Sequence, residues 1–408
     1  TITLGASGDT VTLASGASQT GFGRTGTVDW QTGSIKTSTF TAESGKGYFC
    51  NTAGGSFEVD LPAGTAGAIV SIQDYNNTFD NNNLTVDPNG SEKINGGTAG
   101  GYITLSTEGE GITLVYVDST VGWRSIQDNV FADPGAIPSF VAATGGTVTT
   151  VCTNYKVHTF TGPGTFCVSC AGNADGSNTI DYLVVAGGGG GGDGAGSSTN
   201  AGGGGGAGGY RESSGTASGS YTVSPLGAGV SALPVTATGY PVTIGAGGTT
   251  GASGSNSVFT GTTTITSAGG GGGGNGSSSP VAGSAGGSGG GANTNPGSGS
   301  AGNTPPVSPP QGNNGGSGGD SYSGGGGGAT SVGEDAGAGA SGGGNGATSS
   351  INGTPTARAA GGDGGGTSGP AGTPQTANTG NGAPRGGAPG NAGGTGGSGI
   401  VIIRYKFQ

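Results

Sequence analysis

Apolar and polar positions alternate in short bursts through the first third of the chain, and turn residues separate the bursts. Between 37 and 128 seven segments follow this pattern: Gly47–Thr52, Ser56–Leu61, Ala68–Tyr75, Leu84–Asp87, Tyr102–Ser106, Gly111–Val117 and Gly122–Asp128. Each is rich in β-branched or aromatic residues and bounded by Gly, Asn, Asp or Pro, which reads as a strand. In Phe57-Glu58-Val59-Asp60-Leu61 the alternation is strict, so one face turns inward and the other outward. The spacing predicts a small antiparallel sandwich or barrel over 37–128. No segment of useful length has the helical period, so essentially no α-helix is expected. Residues 1–36 read as an N-terminal attachment segment. Within it Thr1–Gly23 holds two short alternating strands around a turn, the kind of segment that winds into a β-stem between three chains. Residues 129–145, with Asp133-Pro134-Gly135 and Ile137-Pro138, read as a linker.

Beyond the linker the pattern changes. His158-Thr-Phe-Thr, Gly162-Pro163-Gly164 and Thr165-Phe-Cys-Val read as a hairpin, and Asp181-Tyr-Leu-Val-Val-Ala186 runs directly into six glycines. Ile400-Val-Ile-Ile-Arg-Tyr-Lys-Phe407 closes the chain as a strong strand. Two apolar stretches, 146–186 and 397–407, thus bracket a body that contains hardly any apolar side chains.

Composition sharpens this division. The chain has 408 residues, 105 of them Gly, and the last 226 residues hold 77 of those glycines. Leu, Ile, Val and Phe total 61, a fraction low enough to suggest disorder in an ordinary protein. Residues 1–182 carry sixteen acidic and six basic side chains, against six and five in 183–408. The chain is acidic, which argues against nucleic acid as partner. It lacks any run of ~18 apolar residues, which argues against membrane insertion. Glycine arrives in runs and not at every third position, so collagen is excluded.

Residues 266–399 contain four large aliphatic residues (Val281, Val307, Val332, Ile351) and one Tyr. Burial of side chains cannot order such a segment against ~1–2 kcal/mol of backbone entropy per residue. The alternative is a lattice of backbone amides. A helix with three residues per turn and ~3.1 Å rise has no internal hydrogen bonds and points every N–H and C=O outward. Packed side by side, such helices can bond to several neighbours at once, and only Gly permits the close approach. The fold class expected is therefore all-β modules followed by a domain at 146–408 of packed polyglycine II helices, framed by β-strands.

Two stretches resemble phage tail-fibre proteins, those of marine phages in particular. Thr39–Asp128 resembles a recurrent fibre module through Phe40-Thr-Ala-Glu-Ser-Gly-Lys-Gly-Tyr-Phe, Val59-Asp-Leu-Pro, Asn83-Leu-Thr-Val and Thr113-Leu-Val-Tyr-Val-Asp-Ser-Thr-Val-Gly-Trp. The C-terminal part resembles the glycine-rich domain of phage fibres and tail-tip adhesins. Its motifs are His158-Thr-Phe-Thr-Gly-Pro-Gly-Thr-Phe, Tyr182-Leu-Val-Val-Ala-Gly-Gly-Gly, Tyr240-Pro-Val-Thr-Ile-Gly-Ala-Gly-Gly and Gly397-Ser-Gly-Ile-Val-Ile-Ile-Arg-Tyr. The resemblance implies a polyglycine-helix sandwich whose distal loops bind a receptor on the host surface. It also implies a place in the virion as a tail fibre, outside the cell when functioning, beside other tail or baseplate proteins. Two stretches depart from it. Arg358-Ala-Ala-Gly-Gly-Asp363 and Gly382-Ala-Pro-Arg-Gly-Gly-Ala-Pro389 interrupt runs expected to be purer Gly, through loop diversification or local failure of the lattice.

Five large side chains stand out among small ones: Tyr210, Arg211, Tyr322, Arg358 and Arg385. Aromatic residues and Arg dominate binding hot spots, so these are the candidate receptor contacts; each could instead cap a Gly run. Asp80, Asp87 and Glu92 lie in oxygen-rich loops that could hold Ca2+, but the alternate-ligand spacing is incomplete and Asx turns account for them. Cys167-Val-Ser-Cys170 has the gap of zinc and redox sites but no second pair. A bridge from Cys152 to Cys167 or Cys170 is open to an oxidising setting, while assembly in a reducing cytoplasm leaves these and Cys50 as free thiols. His158, the single His, reads as a strand-surface residue. No catalytic constellation and no cofactor motif is present in the sequence. The expected function is thus a non-enzymatic tail-fibre adhesin, a homotrimer through its stem, whose partner is a host surface glycan or outer-membrane protein. The alternative is a subunit of an extracellular or virion filament that self-assembles through its glycine-rich slab.

Overall fold

The computed structural model describes residues 28–126 and 137–408, apart from 197, 198, 216, 218–220, 228, 338 and 340. The expected β-stem at 1–23 and the first part of the linker lie outside the described residues. The chain divides into two units, Thr1–Ile137 and Pro138–Gln408. The described residues contain strands and no α-helix.

Nine strands make the first unit: β1 (Asp29–Trp30), β2 (Phe40–Thr41), β3 (Lys46–Cys50), β4 (Phe57–Asp60), β5 (Ile69–Asp74), β6 (Leu84–Asp87), β7 (Ile103–Leu105), β8 (Gly111–Asp118) and β9 (Gly122–Ser125). They form two sheets, ordered β1-β3-β5-β8-β9 and β2-β4-β6-β7, and neither closes into a barrel. The expected antiparallel arrangement is corrected here. β1–β3, β3–β5, β2–β4 and β4–β6 are parallel pairs. The reason lies in the order of the strands. From β2 to β6 the chain passes to the opposite sheet at every turn, so each strand lies beside the one two places on and runs with it. Antiparallel pairing appears once the chain stays in one sheet, at β6–β7 and β8–β9. The inward positions of the alternating strands, Tyr48, Val59, Val70, Ile72, Leu84, Val86, Ile112 and Leu114, meet around the buried Trp123 in one core.

The second unit has a strand frame and a glycine lattice. The frame strands are β10 (Val141–Thr144), β11 (Thr147–Val151), β12 (Tyr155–Phe160), β13 (Gly164–Ala171), β14 (Thr179–Val185), β15 (Tyr210–Glu212), β16 (Leu233–Pro234), β17 (Gly239–Thr243), β18 (Ser257–Thr260) and β19 (Thr264–Ser267). Two small pairs follow: β20 (Tyr322–Ser323) with β23 (Gly365–Gly366), and β21 (Ala347–Ser349) with β22 (Thr356–Arg358). The closing strand β24 (Ile400–Lys406) sits between β12 and β14 in a sheet ordered β11-β12-β24-β14-β15, with β16 also on β14. The second frame sheet is β10-β13-β17-β18-β19. Val141–Thr144, expected in the linker, thus forms a frame strand paired with β13.

Phe166, Val168, Tyr240, Val242, Phe259 and Ile265 pack against Ile180, Tyr182, Val184, Val401, Ile403 and Tyr405 between the two frame sheets. The other face of β14 and β24 carries Leu183, Val185, Ile400 and Ile402, which pack with Ala207, Tyr210, Ala329, Ile351 and Ala359. Burial on both faces explains why these two strands read as unbroken apolar runs. His158 is corrected from a surface to a buried residue. It is fully buried, stacked on Tyr405 and edge-on to Phe166. Its Nδ1 lies 2.7 Å from the Gly145 carbonyl, which can only accept, so Nδ1 carries the proton and Nε2 accepts from the Tyr405 hydroxyl at 3.1 Å. Gly145 turns at φ +111, with no room for a Cβ beside the Thr165 carbonyl. Burial holds the His158 pKa below its ordinary value.

The lattice begins where β14 ends. Gly187 and Gly190 donate to Ser255 and Ala252, Gly188 and Gly191 to Gly397 and Gly394, and Gly189 and Gly192 to Gly206 and Gly203, all at 2.8–3.0 Å. Their carbonyls accept with the same period. Gly187 and Gly190 accept from Gly270 and Gly273, Gly188 and Gly191 from Gly248 and Gly251, and Gly189 and Gly192 from Ala383 and Gly386. A repeat of three residues is the signature of the three-fold helix, and here the run bonds to six neighbouring segments. The run 202–209 repeats the scheme, with donors in turn to 268–274, 324–327 and 380–386. Residues 187–192 and 202–209, all glycine but Ala207, are buried throughout. A Cβ on Gly189 would be driven into the Gly271 carbonyl oxygen, which is why the segment is glycine. The stretch 380–386, where Gly382-Ala-Pro-Arg385 departs from pure Gly, keeps full lattice bonding through Gly380, Ala383 and Gly386, so it is no failure of the lattice.

Candidate functional site

The lattice runs are polar in their connectivity. The chain enters the second unit at Ser139, whose N–H bonds to the Asn173 side chain, and Ser177 of the same turn donates to the Lys406 carbonyl. β14 leads away from this pole into run 187–194, and β24 leads back to it out of run 391–399. Successive runs go out and return, so the connections on the far side gather at the opposite pole. Their described residues are 195, 196, 199–201, 275–282, 294–298, 319–321, 336, 337, 339, 341, 367–371 and 388–390.

These connections hold one another. Ala195 donates to Asn200 at 2.8 Å, Thr294 to Ala201 at 3.2 Å, Gly318 to Gly297 at 2.9 Å and Gly390 to Ala195 at 2.6 Å. Buried Asn293 accepts from the Val281 N–H at 3.0 Å and donates to the Ser279 and Asn275 carbonyls. The Asn295 amide bonds to the Ser277 carbonyl. Asn275, Asn293 and Asn295 were missed as organising residues. Their sign in the sequence is Asn placed at the ends of Gly runs, where a side-chain amide can take over from backbone.

Of the five candidates, Tyr322 and Arg385 come to this outer part of the lattice. Tyr322 pairs with Gly366 across β20–β23, and a Cβ on Gly365 would lie 2.8 Å from Nη2 of Arg385. Arg385 thus lies against Gly365 and the Tyr322 ring against its neighbour Gly366, and both side chains are half-buried. Arg211 is half-buried on β15 in the frame, beside Tyr182, Leu226, Val230 and Pro309.

Tyr210 and Arg358 are corrected from receptor contacts to interior groups. Tyr210 is 1% exposed and donates from its hydroxyl to Glu212 at 2.9 Å; Arg358 is 6% exposed. Glu212 also accepts from the Ser224 N–H and from the Ser349 hydroxyl, and so ties β15 to β21. Burial raises the Tyr210 pKa and lowers that of Arg358, while the charge of Glu212 favours the Arg358 cation. Arg404 is buried nearby, between the rings of Tyr155 and Tyr221, and donates to the Ile351 carbonyl. The sequence hides this polar cluster because Glu212, the hairpin carrying Ser349 and Arg358, and Arg404 come from three distant parts of the chain.

The proposed calcium loops do not assemble. Glu92 accepts from the Gly64 N–H at 2.8 Å and the Trp123 indole at 3.0 Å, and the Asp80 carboxylate accepts from the side chain of Asn81 next to it. Asp87 instead joins Glu58 and Asp60, with carboxylate oxygens within 4.8 Å of one another on the outward face of the second sheet. Asp60 and Asp87 are register partners on parallel strands, and Glu58 lies two residues earlier on the same face. Burial and the neighbouring carboxylates raise the pKa of Glu58 and of Asp87. The strict alternation of Glu58-Val59-Asp60 was the sign of this face.

All four cysteines are free. Cys50 is buried and its thiol is pushed up to about 12, whereas the Ser139 hydroxyl lowers the pKa of Cys170. No helix among the described residues is long and apolar enough to cross a membrane.

A family model described as a glycine-rich domain matches residues 161–406, more than half of the chain. The chain belongs to this glycine-rich domain family. No curated protein matches it.

Proposed function

We propose that this chain is a non-enzymatic adhesin of the phage tail-fibre kind, in which the glycine lattice is a rigid stalk that presents a pole of loops to a receptor on a host cell. The observation that carries the reading is the polarity of the second unit. The chain enters at one pole and returns to it through β24, and the loops that join outgoing to returning Gly runs collect at the other. Loops already bonded to one another lose little freedom on docking, so weak contacts are not spent on ordering them. Several copies on one particle would add these contacts through avidity. Host glycan or outer-membrane protein is the partner this reading expects, with other tail proteins at the opposite end.

The test is competition. Excess purified chain should lower attachment of the phage that carries it by about tenfold or more, as expected for occupied receptors. A variant with 275–282 and 388–390 replaced by Gly-Ser segments of equal length should compete poorly while unfolding like the parent. Undiminished attachment in excess intact chain would refute the reading.

A further inference from the structure

The second unit has six basic residues: Lys156, Arg211, Arg358, Arg385, Arg404 and Lys406. Five lie on the frame strands or on β22. Arg385 alone lies within the lattice, one residue before Gly386, which bonds to the outer ends of runs 187–192 and 202–209. Its guanidinium lies against Gly365 and Gly369, and a Cβ on either would come within 3.0 Å of it. Glycine at both positions therefore leaves the space that the planar group fills. Its buried Nε has no hydrogen-bond partner, and among the described residues no ion pair involves it. The acidic residue nearby does not neutralise it. Asp363 gives its backbone carbonyl to the Arg385 N–H, but its carboxylate accepts from the Gly343 N–H. Burial lowers the Arg385 pKa, and no neighbouring carboxylate offsets it, unlike Arg358 with Glu212.

A half-buried guanidinium with an unpartnered Nε, packed against Gly365 and Gly369, is suited to a planar oxyanion. We propose that Arg385 forms an anion-binding subsite that selects an acidic group on a surface glycan, a sugar carboxylate or a phosphate ester. The guanidinium fork takes two oxygens. This rests on the adhesin reading and adds the charge of the partner to it. It also explains why an acidic chain keeps one unpaired cation in its lattice.

The experiment measures retention of the intact chain on an immobilised polyuronate and on the same polymer with its carboxyl groups reduced to alcohols. A phosphomannan and its dephosphorylated form make the second pair. The chain should bind one acidic polymer about tenfold more tightly than its neutral counterpart, and which pair shows the difference identifies the carboxylate or phosphate source. Arg385→Gln should abolish the difference, Arg385→Lys should keep part of it, and Arg211→Gln should leave it unchanged. Unfolding transitions of the variants check that the lattice is intact. Equal retention on acidic and neutral polymers, no retention on any of them, or an unchanged preference in Arg385→Gln overturns the subsite. Competition for attachment by intact Arg385→Gln chain is read separately, so the adhesin reading can survive the loss of the subsite.

Discussion

In β4 the side chain of Val59 is fully buried while Glu58 and Asp60 face outward. In the run 187–192 no side chain exists to be buried, yet every residue is. The first unit is an ordinary sandwich, in which backbone bonds run within sheets and apolar side chains join the sheets. The second keeps such a sandwich only as a frame. Its lattice sends each N–H to a different neighbour in turn, so the backbone does in three directions what a strand does in one. The price is cooperativity, since a bond is worth ~0.5–1.5 kcal/mol net and ordering a residue costs about as much or more. The lattice therefore needs anchors, and β14 and β24, apolar on both faces, supply them.

The contrast predicts opposite sensitivities. In the first unit stability should fall when side chains are removed: Leu84→Ala, at a fully buried position, is expected to cost about 2–5 kcal/mol. In the lattice it should fall when a side chain is added. Gly189→Ala forces a methyl group against the Gly271 carbonyl and is expected to cost about 1–3 kcal/mol or more. Gly54→Ala, a glycine in open space in the first unit, should be nearly neutral. Chemical denaturation of the three variants, followed by a probe for each unit, tests this. A harmless Gly189→Ala would mean that the runs do not pack as described.

A smaller effect separates the units by pH. Folding holds His158 below its ordinary 6.5, so the unfolded chain takes up the proton first. The stability this group contributes is complete above about 6.5 and is lost as pH falls through the folded value. In the first unit Glu58 and Asp87 are raised, so the folded state takes up protons before the unfolded one, and acid relieves their repulsion. Between neutral pH and mild acid the transition of the second unit should fall by a few degrees, while that of the first holds or rises. Two transitions falling in parallel would contradict both assignments.

Much of this was legible in the sequence, for physical reasons that differ by region. Seven of the nine strands of the first unit were readable, most of them to within a residue or two, because Val59, Leu84, Val86 and Ile103 alternate with polar neighbours; the two-residue β1 and β2 were missed. Which sheet each strand joins was not, since alternation tells inward from outward and not left from right; hence the parallel pairs were missed. In the second unit the Gly runs and apolar anchors pointed to a backbone lattice. The fate of single large residues was hidden. Nothing near Tyr210 or His158 in sequence announces Ser349, Arg358, Gly145 or Tyr405, and a Tyr or His among small residues looks exposed until distant strands cover it. Tyr322 and Arg385 are only half-buried, packed against Gly366 and against Gly365 and Gly369.

Amide hydrogen exchange, resolved by peptide, tests the central claim most directly. If the lattice exists, amides of 187–192 and 202–209 exchange as slowly as those of β14 and β24, although no side chain shields them. Exchange at the rate of an unstructured glycine peptide, beside protected frame strands, would contradict the account.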